Sequence, residues 1–314
     1  MTGFLLRRIA SLVPVWLGIT FVTFGLANLA PGDPAELILG RELEQPPTPE
    51  QLEDFRERNG LNDPFLVQYL RWTANAATGD LGTSFRSGEP VLVELTSRLP
   101  ATLQIAVPAF LVSTGLALAV GMVSAVRRNS FADHVSRVAA LVGDSVPSFV
   151  LAYLLIIIFS VTLGLLPVAG RGTWQHFVLP SLTLGLATTA SIMRLTRSSL
   201  LEVLGEDYVR TARAMGLPRR TVIVRHALRN ALIPVITVAA LVLASFATGT
   251  VIVEYVFGWP GVGRFAVDSI FDRDYPVIQG FVVFTGTVFV VVNLVVDLLY
   301  LRLDPRVRLA GKGS

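Results

Sequence analysis

Apolar runs of span length, each with at most one charged residue, recur along this chain, separated by arginine-rich or acidic stretches. A helix rises about 1.5 Å per residue, so about 20 apolar residues cross a hydrocarbon layer of about 30 Å. Six segments meet or approach that length: 9–30, 101–126, 138–163, 178–193, 231–256 and 281–301. The fourth is short at its inner end. The pattern predicts an all-α integral membrane protein with six transmembrane helices and both chain ends on one side. Arg7 and Arg8 before the first run also suit the start of a signal peptide. That run outlasts an h-region, and Pro31 after Ala30 makes a poor cleavage site, so a retained first span is expected.

Arginine and lysine placement decides which side the ends occupy. Stretches 1–8, 127–137, 194–230 and 302–314 hold seventeen basic residues, and 31–100, 164–177 and 257–280 hold nine. Six of those nine lie in the long stretch 31–100, among twelve acidic residues. The bias of the short loops places both termini in the cytoplasm. Composition narrows the picture further. The chain is 52% hydrophobic and 16% charged, where a soluble protein is about 25% charged, so no detachable enzyme domain is expected. Without cysteine, disulfides, cysteine-held zinc and thiol catalysis are excluded. His134, His176 and His226 share no metal-ligand spacing. No catalytic site, cofactor or metal is therefore expected. There is no GxxxxGK[ST] phosphate loop, so ATP hydrolysis, if coupled to this chain, belongs to other polypeptides.

The external stretch 31–100 reads as a small helical structure. Thr48-Pro49-Glu50-Gln51 offers a capping Thr, a Pro at the first helical position and a Gln at the third, and Gly60 ends that helix. Asp63-Pro64 repeats the start signal, and Phe65, Leu66, Tyr69, Leu70, Trp72 and Thr73 form an apolar stripe at helical spacing. Gly79-Asp80-Leu81-Gly82 breaks it, and a short helix near Pro90 to Arg98 leads into Pro100 and the second span. The stripe reads either as packing on the outer ends of the spans or as part of a docking surface for an external partner.

The cytoplasmic stretch 194–230 carries eight arginines: Arg194, Arg197, Arg210, Arg213, Arg219, Arg220, Arg225 and Arg229. Leu200 to Met215 is expected as one helix ended by Gly216, with Pro218 opening a second that runs towards Asn230 and Pro234. Lipid headgroups account for part of this charge. Nucleic acid is a poor fit, since an elbow held between two spans has little freedom to enter a groove. A rigid protrusion that engages a cytoplasmic partner explains the helix, Gly break and second helix tied directly to a span.

Here a family resemblance becomes specific. Tyr208-Val209-Arg210-Thr211-Ala212-Arg213-Ala214-Met215-Gly216-Leu217-Pro218, followed by Arg225 through Pro234, resembles the EAA loop of ABC importer permeases. Gly216 matches the Gly of that motif and Pro234 its terminal Pro. Arg210 and Thr211 stand where the motif has Glu and Ala, a departure usual in the peptide and nickel branch. Arg7-Arg8, Leu29-Ala30-Pro31-Gly32-Asp33-Pro34, Gly79-Asp80-Leu81-Gly82-Thr83-Ser84 and Leu303-Asp304-Pro305-Arg306 are similar to the "B" permease of dipeptide, oligopeptide, glutathione or nickel importers.

The resemblance implies an ABC type I importer permease fold with its core over 101–301. It also implies a complex in the bacterial inner membrane: a second homologous permease, two ATP-binding cassette subunits and an extracellular or periplasmic solute-binding protein. The expected contact with the ATPase comprises Glu206, Tyr208, Arg210, Thr211, Ala212, Arg213, Met215, Gly216, Leu217 and Pro218. Charged residues inside spans default to functional candidates, which names Asp144, Glu254 and Asp297. Each also suits a structural pairing with an Arg or a backbone donor. For Asp297, close to the inner arginines, the structural reading is the stronger. Peptides are the leading cargo, with nickel or glutathione on the same architecture as alternatives. A secondary transporter coupled to ions is the rival class, and it would need carboxylates near the midplane.

Overall fold

The computed structural model describes residues 2–29, 33–42, 46–248 and 250–303, with side chains described for 13–29, 33, 35–36, 38–40, 46–246 and 250–295. Positions 30–32 and 304–306 of the family-like motifs, and the side chain of Asp297, lie outside these described residues. In chain order the helices are α1 (Thr2–Asn28), α2 (Pro34–Glu42), α3 (Pro49–Arg58), α4 (Phe65–Ala77), α5 (Val91–Val126), α6 (Phe131–Ser145) and α7 (Ser148–Leu155). There follow α8 (Val178–Leu204), α9 (Asp207–Ala214), α10 (Arg219–Thr221), α11 (Leu228–Thr248), α12 (Val251–Val256), α13 (Val262–Phe271) and α14 (Tyr275–Leu303). α7 continues as a π-helix over Ile156–Thr162, and a second π-helix, Val222–Ala227, joins α10 to α11.

Val91–Val126, Trp174–Leu204, Arg219–Phe246 and Tyr275–Val295 are long and apolar enough to cross a membrane, and Val13–Asn28 is a shorter apolar helix. The segment expected as the third span, 138–163, lies in a pair of helices, Phe131–Ser145 and Ser148–Thr162, bent by 105° at a short break. Pro147 explains the break. It offers no N–H and biases the residue before it away from the helical region, and Val146 is accordingly extended at φ −88°, ψ 118°. The expected separate helix near 90–98 is continuous with the second span in the 36-residue α5. The fourth helix runs on from 193 to Leu204, because arginines at a membrane face end the apolar run without ending a helix. Leu200 to Met215 is correspondingly two helices, divided at Gly205.

The chain divides into two compact units, residues 1–99 with 265–287 and residues 100–264 with 288–314. In the first, Thr48 forms the expected capping box: Gln51 N donates to Thr48 Oγ1 at 3.3 Å and Thr48 N to Gln51 Oε1 at 2.8 Å. Asp33 accepts from Ala35 N at 2.9 Å and pairs with Arg56. The aromatic face of α4 packs on α1, with Phe21 and Phe65 edge-to-face at 5.9 Å and Phe24 against Trp72 at 5.5 Å. Tyr69 Oη donates to the Leu17 carbonyl at 3.2 Å and lies 3.1 Å from Thr20 Oγ1. The Gly79–Ser84 turn closes on buried Asp274, which accepts from Ser84 Oγ at 2.6 Å and from the Phe85 and Arg86 N–H groups at 3.1 Å.

The second unit is built around α8, which packs on α6, α7 and α11. Small residues let α5 and α8 approach closely. A Cβ on Gly185 would lie 2.9 Å from the Ala109 carbonyl oxygen, and one on Gly121 would lie 2.8 Å from Thr196 Cβ. Ser181 Oγ donates to the Ile105 carbonyl at 3.2 Å across the same contact.

Candidate functional site

The elbow begins where α8 stops. Gly205 ends that helix, Glu206 is extended at φ −68°, ψ 149°, and Asp207 opens α9. The eight residues of α9 place Val209 and Ala212 three apart, on one face. Both are buried and pack with Val222 against Val203, Leu204 and Leu217. Met215 closes the helix and Gly216 takes φ +78°, a left-handed turn that favours Gly. Gly216 N donates to the Arg213 carbonyl at 3.0 Å, and Pro218 then caps α10.

This small apolar foot fixes what faces outward. Asp207, Tyr208, Arg210, Thr211, Arg213, Ala214 and Met215 are all exposed, Met215 at 69%. Two bonds tie the elbow to its surroundings. Asn230 Nδ2 donates to Tyr208 Oη at 2.7 Å, and an Arg219 guanidinium N–H donates to the Val126 carbonyl at the end of α5, 3.1 Å away. Beyond the turn, Arg219–Phe246 form one helical rod of 28 residues. Its lower part shares a packed layer, Ala125, Leu200, Ala227 and Ala231, with α5 and α8.

Of the ten residues expected at the elbow, Ala212 alone is buried. Its part is to hold α9 in place, and the exposed side chains are the ones available to a partner.

The acidic candidates separate by environment. Asp144 pairs with Arg194 of α8, both partly exposed, beside the break at Pro147. Glu254 is fully buried and its carboxylate is committed. It accepts from Thr102 Oγ1 at 2.7 Å, from Thr250 Oγ1 and from the Arg264 N–H at 3.0 Å. Thr102 in turn accepts from Val262 N at 3.0 Å, and Trp259 Nε1 donates to the Ala101 carbonyl at 2.7 Å. A Cβ on Gly261 would fall 2.2 Å from Glu254 Oε1, so the turn folds tightly over the carboxylate. Glu254 thus staples α12 and the first turn of α13 to α5.

Sequence reasoning passed over Asp133. It is fully buried and takes a two-pronged ion pair from Arg197, Nε to Oδ1 at 2.8 Å and Nη2 to Oδ2 at 2.9 Å. Ser124 Oγ at 2.5 Å and Asn129 N at 2.9 Å complete its shell. The Arg197 guanidinium holds this carboxyl well below the ordinary carboxylate range, against the opposing effect of burial. The cluster joins the start of α6, the end of α5 and α8 at the foot of the helices. The signal was available: Asp133 is the one acidic residue among the three arginines of 127–137, three residues after the capping Ser130.

A family model described as "Binding-protein-dependent transport system inner membrane component" matches residues 117–309, and the model for the N-terminal part of such components matches residues 1–106. The chain is 41% identical to the dipeptide transport system permease protein DppB of Alkalihalophilus pseudofirmus, covering 98% of this chain and 100% of that protein. It is 42% identical to the glutathione transport system permease protein GsiC of Escherichia coli O6:H1, covering 98% and 99%. The crystal structure of an amino acid ABC transporter with histidines aligns at a TM-score of 0.53, over 67% of this chain and 94% of that one. At 15% identity that likeness concerns the fold alone.

Proposed function

The chain belongs to the family of binding-protein-dependent transport system inner membrane components, and from that premise we propose that it forms half of the translocation path of an ATP-driven importer for di- and oligopeptides. It works beside a second homologous permease. Two separate ATP-binding subunits hydrolyse ATP on the cytoplasmic side, and an external solute-binding protein delivers the cargo. It sits in the bacterial inner membrane with both termini in the cytoplasm, a reading supported by the arginine bias of the short loops.

The observation that carries this reading is the elbow. An eight-residue helix with a polar outer face stands on two buried side chains and continues into a rod of span length. Such a part suits a cleft on an ATPase. Closure of two ATPase subunits around nucleotide moves α9, and the rod carries that displacement into the spans. Tyr208, Arg210, Thr211, Arg213 and Met215 make the contact. Glu206, Gly216, Leu217 and Pro218 shape the turns on either side, and Ala212 seats the helix. The Asp144–Arg194 pair, partly exposed next to a bent helix, remains the candidate for lining the path. Relatives named for dipeptide and for glutathione transport stand at nearly equal identity. Glutathione is itself a small peptide, so both names suit a path that accepts short peptides while the binding protein selects among them.

Gentle solubilisation of the tagged chain should bring down two ATPase subunits and a second permease. ATP turnover of that complex should rise when its binding protein carries a peptide. A chain that purifies alone and transports in response to an ion gradient would overturn the proposal. Stimulation by a nickel-loaded binding protein only would overturn the cargo.

A further inference from the structure

The helix Phe65–Ala77 lies in the stretch 31–100 that the hydropathy pattern places outside the membrane, yet its contacts set it lower. Two contacts fix the register of α1 against α14. Trp16 Nε1 donates to Thr287 Oγ1 at 3.2 Å, and Ile19 packs against Gly286. Gln279 is the last polar residue before the apolar run of α14, which puts the outer hydrocarbon edge near residue 280. Thr287 is seven residues further in, about 10 Å deeper at the rise of a helix. Trp16 lies at that depth and Thr20 about 4 Å below the edge.

α4 follows the same ladder downward. Phe65 meets Phe24 and Gly25, Tyr69 bonds Thr20 and Leu17, and Ala76 and Ala77 line an apolar cavity of about 420 Å³ with Trp16, Val283 and Phe284. The chain then climbs back, so that Leu81 and Val91 pack on Gly280 at the edge. The chain therefore descends about 10 Å below the edge along α4 and returns between Thr78 and Val91.

Its surface has three sectors at 100° per residue. Phe65, Tyr69, Trp72, Thr73 and Ala76 face α1 or the interior. Gln68, Arg71, Asn75 and Thr78 form a polar edge, where Gln68 donates to the Leu61 and Asp63 carbonyls at 2.8 Å and Arg71 pairs with Asp63. Leu66, Val67, Leu70, Ala74 and Ala77 form the third sector, with Leu66 62% and Leu70 64% exposed. That sector is continuous with the exposed side of α1 through Phe21, which touches both Phe65 and Tyr69. An apolar face at that depth, running on from a span, meets acyl chains more favourably than water.

We infer that α4 is a re-entrant interfacial helix whose Leu66–Val67–Leu70 face rests in the outer lipid leaflet. It is therefore a lipid contact of the permease rather than a docking face for the binding protein. The absence of native cysteine makes the test direct. Single spin labels at 66, 67 and 70, and a control at Asp54, are read in lipid nanodiscs, first on the chain alone and then with the subunits that co-purify with it. Three positions on the face keep the test informative if one variant folds poorly. Relaxation by oxygen, which partitions into lipid, should exceed relaxation by a water-soluble nickel chelate several-fold at 66, 67 and 70, in both preparations. At 54 the ratio should invert. Chelate access at 66 and 70 equal to that at 54 would overturn the inference, because the face would then stand in water. Loss of both relaxation effects in the assembled complex would overturn it too, because a protein would then cover the face.

Discussion

Replacing Ala212 by Leu should uncouple ATP turnover from transport without removing any outward-facing group of the elbow. Ala212 is 3% exposed and sits with Val209 and Val222 against Val203, Leu204 and Leu217. The added isobutyl bulk exceeds what that contact holds, and overpacking a filled site costs about 1–3 kcal/mol. α9 has eight residues between Gly205 and Gly216, so the strain is relieved most cheaply by α9 swinging off its foot. At 1.4 kcal/mol per factor of ten, the ratio of seated to unseated elbow falls about 5- to 150-fold. The assay is the complex in proteoliposomes, with ATP turnover measured with and without peptide-loaded binding protein and uptake measured alongside. Basal turnover should persist, while stimulation and uptake per assembled complex fall together, by up to that factor. Ala212→Ser, close in volume, should behave as wild type. Wild-type stimulation and uptake in an assembled Ala212→Leu complex would refute both the seat and the lever.

Gly216→Ala should lower coupling through backbone strain of about 1–2 kcal/mol alone, since no atom crowds the position. Gly216→Asn should recover part of the loss because Asn tolerates φ +78°, and Gly216→Pro should abolish coupling; the same proteoliposome assay ranks the three. Asp133→Ala should destabilise the chain by about 3–5 kcal/mol by leaving Arg197 without its buried partner, read as a lowered melting temperature in detergent. For Asp133→Asn the sign follows from the lowered folded-state carboxyl value. Wild type should hold its full advantage above about pH 4, the ordinary Asp range, and lose it as pH falls further towards the folded value. An advantage that already fades between pH 7 and 5 would count against the pair. Glu254→Ala should lower the yield of folded protein and leave the order of preference among peptides unchanged, whereas a path-lining carboxylate would shift that order in an uptake competition. Gly185→Val should prevent close packing of α5 on α8, seen as aggregation on size-exclusion chromatography.

Apolar length was enough to find the long apolar helices at Val91–Val126, Trp174–Leu204, Arg219–Phe246 and Tyr275–Val295, because burial in lipid is a one-dimensional demand that a run of residues meets locally. The capping box at Thr48 and the turn at Gly216 were equally local and equally legible. The bend before Ser148 was marked by Pro147, but hydropathy counts length and is blind to direction. Gly205 was missed because Leu200–Met215 lacks proline and its spacing suits one helix. Glu254 needed Thr102, some 150 positions away, before its role as a staple could be read. Asp133 required Arg197, 64 positions on. The polar clusters that join helices are long-range pairings, and a single sequence does not carry the pairing.

The close contacts of Gly185 with Ala109 and of Gly121 with Thr196 hold α5 and α8 together at two levels. The two α5 positions lie twelve residues apart, about 18 Å along the helix. Two shafts pinned at two points can neither roll nor slide past one another, so α5 and α8 travel as a single block. Any rearrangement between open and closed states within this unit is then forced into the joints that lack such pins. Among the described residues these include the kink ahead of Ser148 and the glycine turns on either side of α9, and crosslinks placed there, rather than between α5 and α8, should arrest the cycle.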